Sequence, residues 1–318
     1  MSSSPLGSAD HVAAIRTDHP DLAALIDDLE AVVAPAYEDA DAKAVAAQSK
    51  LDRSRRLALI GTAVAALASV LQVVPNHGFR IGAQIAVILA GAVSAAAINA
   101  RRERVFRRWT EQRRIAEELR SLYFRELAAA DVDAPSGERR LSLTARIDVV
   151  SAGGTTDVAR PVNVAPGTEL GEDRAALYGR LRLSGQIDWM RDKAEGLRTW
   201  ADRLDGVQTG LTVAIPLLGG IGLLAEFNEG AAVDVPQAAI ASAVVAGAAT
   251  AIGAASASLG HERLAAHYER TVADLERYRR VWASGMSTDG LVEAVEQSLM
   301  REHRSWHQLT EDIERAGS

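Results

Sequence analysis

Seven histidines, no cysteine and dispersed acids limit the chemistry open to this 318-residue chain. Without Cys there is no disulfide, no thiolate nucleophile and no Cys-containing zinc site. "HERLAAH", residues 261–267, holds two histidines six apart. A helical zinc site needs them four apart on one face, and a spacing of six turns them away from each other. His303 and His307 do share a face at i, i+4, and read as two exposed histidines rather than a metal site. "SAGGTTD" and "PLLGGIG" contain glycines but no following Lys-Ser/Thr, so neither is a phosphate loop. Ser, His and Asp occur throughout without a nucleophile motif. The expectation is a protein that is not an enzyme and carries no metal or cofactor. The remaining chemistry is the lining of a path. Thr62 and Ser69, seven apart, fall near one helix face and are candidates for pore lining. The competing reading is that such hydroxyls bond back to their own helix or join neighbouring helices.

Four uncharged stretches must position these residues: Leu57 to Val74, Ile81 to Ala100, Val207 to Ala225, and Gln237 to Gly260. Each is near the roughly 20 residues that about 30 Å of hydrocarbon demands, and helix is the form that satisfies the backbone there. The composition is 48% apolar but only 4% aromatic, which suits such runs better than a large soluble core. The alternative is a set of buried Ala-rich helices. Arg53, Arg55 and Arg56 precede the first run, and Arg101, Arg102 and Arg104 follow the second. The two short loops carry one base between them. These arginines act as topology determinants, and the positive-inside rule puts the N-terminus, the centre and the C-terminus in the cytoplasm. "MSSSPLGSADH" lacks the basic and apolar regions of a signal peptide. The net charge of −7 argues against a nucleic-acid partner.

The layout repeats: a charged helix, an apolar hairpin, then a charged helix. The expected organisation is an N-terminal segment over 1–34, a first two-span unit over 35–130, a linker over 131–171, and a second two-span unit with a C-terminal helix over 172–318. The linker holds two β-like pieces, "RLSLTARIDVV" and "VARPVNV", that suggest a weak hairpin. Val105, Trp109, Ala116, Leu119, Tyr123 and Leu127 form one apolar stripe; Leu264, Tyr268, Val272, Leu275 and Trp282 form another. Neither stripe is buried by its own helix, so a helical bundle is expected. In the fourth run Ser242, Ala246, Ala249, Gly253, Ser256 and Gly260 recur at steps of four and three, a seam of small residues for close helix packing. Pro216, with glycines after it, marks a kink in the third run.

"YEDADAKAVAAQSK" and "WTEQRRIAEELRSLYFR" in the first copy, with Trp109, Arg113, Ala116 and Glu117, resemble the SLATT family of two-span membrane effectors. In the second copy "LYGRLRLSGQIDWMRDKAEGLRTWADRL" is similar to the lead-in of a sister subfamily, with Gln186, Trp189 and Ala194 matching. "LVEAVEQSLMREHRSWHQL" resembles its tail at Glu296, Glu302 and Trp306. Trp189-Met190 departs from the Trp-Tyr often seen there. The resemblance implies an effector of bacterial conflict systems, held silent until a nucleotide-based or other infection signal comes from a separate nucleotide-signalling or sensor protein. The fold class expected is all-α and polytopic, with four transmembrane helices as two hairpins and a cytoplasmic helical bundle. The place expected is the bacterial inner membrane, as a homo-oligomer in the lipid bilayer that forms or opens a pore. The competing reading is a non-conducting scaffold that presents the bundle to a partner.

Overall fold

The computed structural model describes residues 4–71, 89, 91, 102–129, 134–154, 172–226, 242, 244–250, 252–253, 260–285 and 287–316. Among them every regular element is helical: α1 (Ala9–Asp18), a 3-10 turn (Pro20–Leu22), α2 (Ala23–Leu71), α3 (Arg102–Ala129), α4 (Ser136–Ser151), α5 (Glu172–Tyr178), a π-helical turn (Gly179–Ser184), α6 (Gly185–Glu226), α7 (His261–Ala283) and α8 (Thr288–Ala316). The chain divides into two compact units. Unit 1 gathers 1–48, 107–194 and 266–308; unit 2 gathers 49–106, 195–265 and 309–318.

Unit 1 is a helical bundle around one apolar core. Leu22 of the 3-10 turn and Leu25, Ile26 and Leu29 at the start of α2 share this core with Leu119, Tyr123 and Leu127 of α3, with Leu183 and Ile187, Leu275 of α7, and Leu291 and Val295 of α8. The stripe on α3 packs into this core: Trp109, Ala116, Leu119, Tyr123 and Leu127 are all buried. On α7, Leu275 is buried, while Tyr268, Val272 and Trp282 pack partly buried against the core. Residues 1–34 belong to the same core through Val12 and Ile15 of α1. Ser8 caps α1, its hydroxyl accepting from the His11 N–H at 3.4 Å, with Asp10 in the first turn and Arg16 in the last.

The first piece of the expected β-hairpin is helix α4. "RLSLTARIDVV" alternates apolar residues at 141, 143, 145, 147 and 149, which reads as a strand. Burial selects a different set: Arg139, Leu143 and Val150 are buried, whereas Leu141 is 73% exposed. The period that wins is therefore helical. Arg114 of α3 closes the end of α4 by donating to the carbonyls of Gly154 at 3.1 Å and Val150 at 3.4 Å. The second piece, "VARPVNV", lies outside the described residues.

The all-helical class is right, but the expectation of a polytopic protein with four transmembrane helices is overturned. Among the described residues no helix is long and apolar enough to cross a membrane. The described part of the first run, Leu57 to Leu71, is the end of α2, whose earlier turns are charged. The third run ends α6, where Gln208, Thr209, Gly210, Thr212 and Pro216 dilute the apolar side chains. The second run, apart from Leu89 and Gly91, and much of the fourth lie outside the described residues.

Unit 2 also leaves large apolar side chains in contact with its surroundings. Leu57, Ile60, Trp200, Val207, Val213 and Leu217 are between 47% and 63% exposed. Its described small residues pack closely at one point: a Cβ built on Gly253 would stand 2.9 Å from the Gln208 side-chain nitrogen of α6.

Candidate functional site

The chemistry of unit 1 is concentrated in charged side chains taken into its interior. Arg182, in the π-helical turn, meets Glu296 of α8 in a two-pronged pair. Its Nε donates to Oε1 at 2.8 Å and its Nη2 to Oε2 at 2.9 Å. The Tyr178 hydroxyl donates to the same Oε1 at 2.9 Å. All three side chains are buried. The Arg182 guanidinium also lies 5.1 Å from the Phe124 ring centroid, a cation–π contact. Planar matching of guanidinium to carboxylate is what makes such a pair tolerable away from water. Burial works to lower the Arg182 pKa, but Glu296 outweighs it and drives it upward.

Glu117 of α3 shares this electrostatic field. Arg113, one turn earlier, donates to it at 2.6 Å and reaches Asp41 of α2 at 3.2 Å. Burial pushes the Glu117 carboxyl up, yet Arg113, Arg120, Arg182 and His303 together hold it at about 2. On the neighbouring helices His267 of α7 stands 3.3 Å from Glu302 of α8.

A second ionic centre joins α2 to α4. Asp28 is buried and accepts from the Ser136 hydroxyl at 2.5 Å, Arg139 Nε at 2.7 Å and Arg140 Nε at 2.6 Å. Burial alone would raise its carboxyl; the bonds from Ser136, Arg140 and Arg139 outweigh burial and hold it below the usual range. A third contact pairs Glu126 of α3 with Arg146 of α4. There burial prevails, and the Glu126 carboxyl is raised despite Arg146. Arg174 of α5 donates to the Leu127 carbonyl at 3.0 Å, occupying an acceptor in the last turn of α3.

The structure brings several signature positions of the sequence into or beside these centres. Trp109 and Ala116 are core residues, and Arg113 and Glu117 form an ion pair. Ala194 is buried and Gln186 half-buried. Trp189 is 39% exposed and lies edge-on to Tyr268, ring centroids 5.8 Å apart. Trp306 lies in α8, its side chain outside the described residues. Of the topology determinants, Arg53 is exposed on α2; Arg55, Arg56, Arg102 and Arg104 lie in α2 and α3 with side chains outside the description, and Arg101 is outside it altogether. In the seam, Ser242, Ala246 and Gly253 are half-buried and Ala249 and Gly260 buried, while Ser256 is outside. Thr62 and Ser69 lie in α2, their side chains outside the described residues. Two other hydroxyls bond back to their own helices: Thr212 donates to the Gln208 carbonyl at 2.8 Å and Thr250 to the Ala246 carbonyl at 2.9 Å.

Sequence reading singled out Arg113, Glu117 and Glu296 by type, but missed Asp28, Arg139, Tyr178 and Arg182. Each is an ordinary charged or aromatic residue of a polar helix until its partner, more than 100 positions away, is placed beside it. No reactive constellation emerges. Among the described residues no group of three or more His, Asp or Glu is arranged to hold a metal ion. What this arrangement can do is fix helix against helix.

Comparison with known families divides the chain in the same order as its repeat. Residues 35–152 match SMODS and SLOG-associating 2TM effector domain 3, and residues 178–306 match SMODS and SLOG-associating 2TM effector domain 1. No curated protein and no solved structure matches the chain. With two such domains in sequence, the chain belongs to the SLATT effector-domain family as a tandem of two copies.

Proposed function

We propose that this protein is a membrane effector of a bacterial conflict or antiphage system. It acts at the inner membrane as a homo-oligomer, forming or opening a pore when a separate nucleotide-signalling or sensor protein delivers a signal. The termini lie on the cytoplasmic side, the side favoured by the Arg clusters near residues 53–56 and 101–104. It works by rearrangement of helices, not by covalent catalysis.

The observation that carries this reading is the apolar surface of unit 2. Six large side chains from Leu57 to Leu217 are about half exposed. Such side chains suit contact with lipid or another protein where they form one contiguous patch. Moving each such side chain into hydrocarbon contributes on the order of 1 kcal/mol. The family description of an effector domain supports the same direction. Small residues at Ala249 and Gly253 let helices within this unit approach closely.

The test is membrane potential in bacteria expressing the full chain, followed with a voltage-sensitive dye before and during phage challenge. Depolarisation on challenge is expected. Leu217→Lys should reduce membrane association, and Gly253→Leu should abolish depolarisation while membrane abundance is retained. An unchanged potential throughout, at high membrane abundance, would favour a non-conducting scaffold instead.

A further inference from the structure

We propose that the π-helical turn at Gly179–Ser184 is a register switch, latched by the Arg182–Glu296 pair, that selects which face of α6 is buried. This regulation rests on the effector reading given above. Three features of the turn carry it. Its backbone runs one residue wide of an α-helix: the Gly185 N–H reaches back five residues to the Arg180 carbonyl. Turns of this kind are rare and occur mostly as single insertions inside α-helices. The wide turn is also braced on both sides. Gly179 faces the Trp282 ring so closely that an added Cβ would stand 2.7 Å from it. Arg182 is held in the interior by both oxygens of Glu296. Finally, the lead-in helix of the first copy runs on as α2 from Ala23 with no such turn.

The consequence of closing the turn follows from helix geometry. An α-helix advances about 100° per residue. If the six residues reclose as α-helix without loss of a residue, everything after them advances by about 100°. Each position of α6 then takes the direction now held by its successor. Gln186, Trp189 and Lys193 would enter the sector that Ile187, Met190 and Ala194 now fill, and those three are buried at present. Of the incoming set, Trp189 has apolar surface to bury. Trp189 is a half-uncovered indole, and the Lys193 ammonium already lies 5.9 Å from its ring centroid. Farther along, the same helix carries Trp200, Val207, Val213 and Leu217. Turning α6 rotates that apolar set about the helix axis.

The absence of native cysteine makes the test clean. Single-cysteine substitutions at positions 186 to 196 of the full chain are labelled with a maleimide, in the parent and with Glu296→Gln. In the parent, protection is expected at 187, 190 and 194. With Glu296→Gln it should shift by one residue, to 186, 189 and 193. Deleting Arg180, an exposed residue, removes the extra residue and lets α-helix close with its flanks in their present phase. In that background Glu296→Gln should leave protection where the parent has it. An unshifted pattern, uniform labelling at every position, or a shift that persists without Arg180 would each overturn the proposal. Membrane potential read in the same cells separates the two claims. A phase shift without depolarisation upholds the switch and counts against the pore, whereas depolarisation without a phase shift counts against the switch.

Discussion

Two clamps tie an early helix to a later one, α2 to α4 and the π-helical turn to α8, and they do it with opposite polarity. In the first clamp the acid is on α2, Asp28, just ahead of the matched residues 35–152, and the bases are on α4, Arg139 and Arg140. In the second the base is on the lead-in side, Arg182, and the acid is on α8, Glu296. Exchanging the closing helices would set Asp28 against Glu296 and Arg182 against Arg139. Like charges brought together away from water are strongly unfavourable, so polarity discriminates between two otherwise similar helix pairings. The clamps also differ in access to water. Arg140 is half exposed, whereas Arg182, Glu296 and Tyr178 are all enclosed. The first clamp has a solvated spare base, and the second has none.

This contrast fixes the order of expected effects. Glu296→Ala leaves Arg182 buried without its counter-charge and should lower stability by about 3–5 kcal/mol, seen as a large drop in the thermal unfolding midpoint by circular dichroism. Reversing the pair with Arg182→Glu and Glu296→Arg together should recover part of that loss. No recovery would mean that the site reads shape instead of charge pairing.

Acid comes next. Glu117 is held at about 2 against an ordinary 4.5. A depressed carboxyl contributes stability that is fully present above 4.5 and is lost as pH falls toward 2. At about 1.4 kcal/mol per pH unit this reaches at most about 3.5 kcal/mol. Glu117→Gln should flatten the pH dependence of the unfolding midpoint between pH 4.5 and pH 2. Glu126, raised by burial, works in the other direction and should not add to that slope.

Asp28→Ala removes the acceptor shared by Ser136, Arg139 and Arg140, and should cost about 1.5–3 kcal/mol. That is less than Glu296→Ala, because Arg140 can turn to water. Arg140→Gln should cost no more than about 1 kcal/mol. If Asp28→Ala proved as damaging as Glu296→Ala in chemical denaturation, the distinction between a wet and a dry clamp would fail.

Much of unit 1 was legible as pattern. Spacings of three and four marked Val105, Trp109, Ala116, Leu119, Tyr123 and Leu127 as one face; the last five are buried and Val105 is half-buried. The family resemblance was carried by helix signatures in the right order. The hairpin expected at 141–149 failed because alternation and helical periodicity overlap in a short stretch. The choice between them is made by a remote residue, Asp28, which gives Arg139 a place inside. The four spanning helices failed for a different reason. Uncharged length alone does not specify a span: the described apolar segments continue long helices with charged turns, and the one in α6 is diluted by polar residues.

The sequence by itself determined the helical class, the twofold repeat, the family and the apolar stripes, because periodicity and composition are local properties. Only the tertiary structure decided which charges are buried, which helix each one holds, and that the lead-in of the second copy opens into a π-turn over Trp282. Arg182 and Glu296 are 114 residues apart. Nothing near either one reveals the other, because the energy of a buried charge depends on what the fold places beside it.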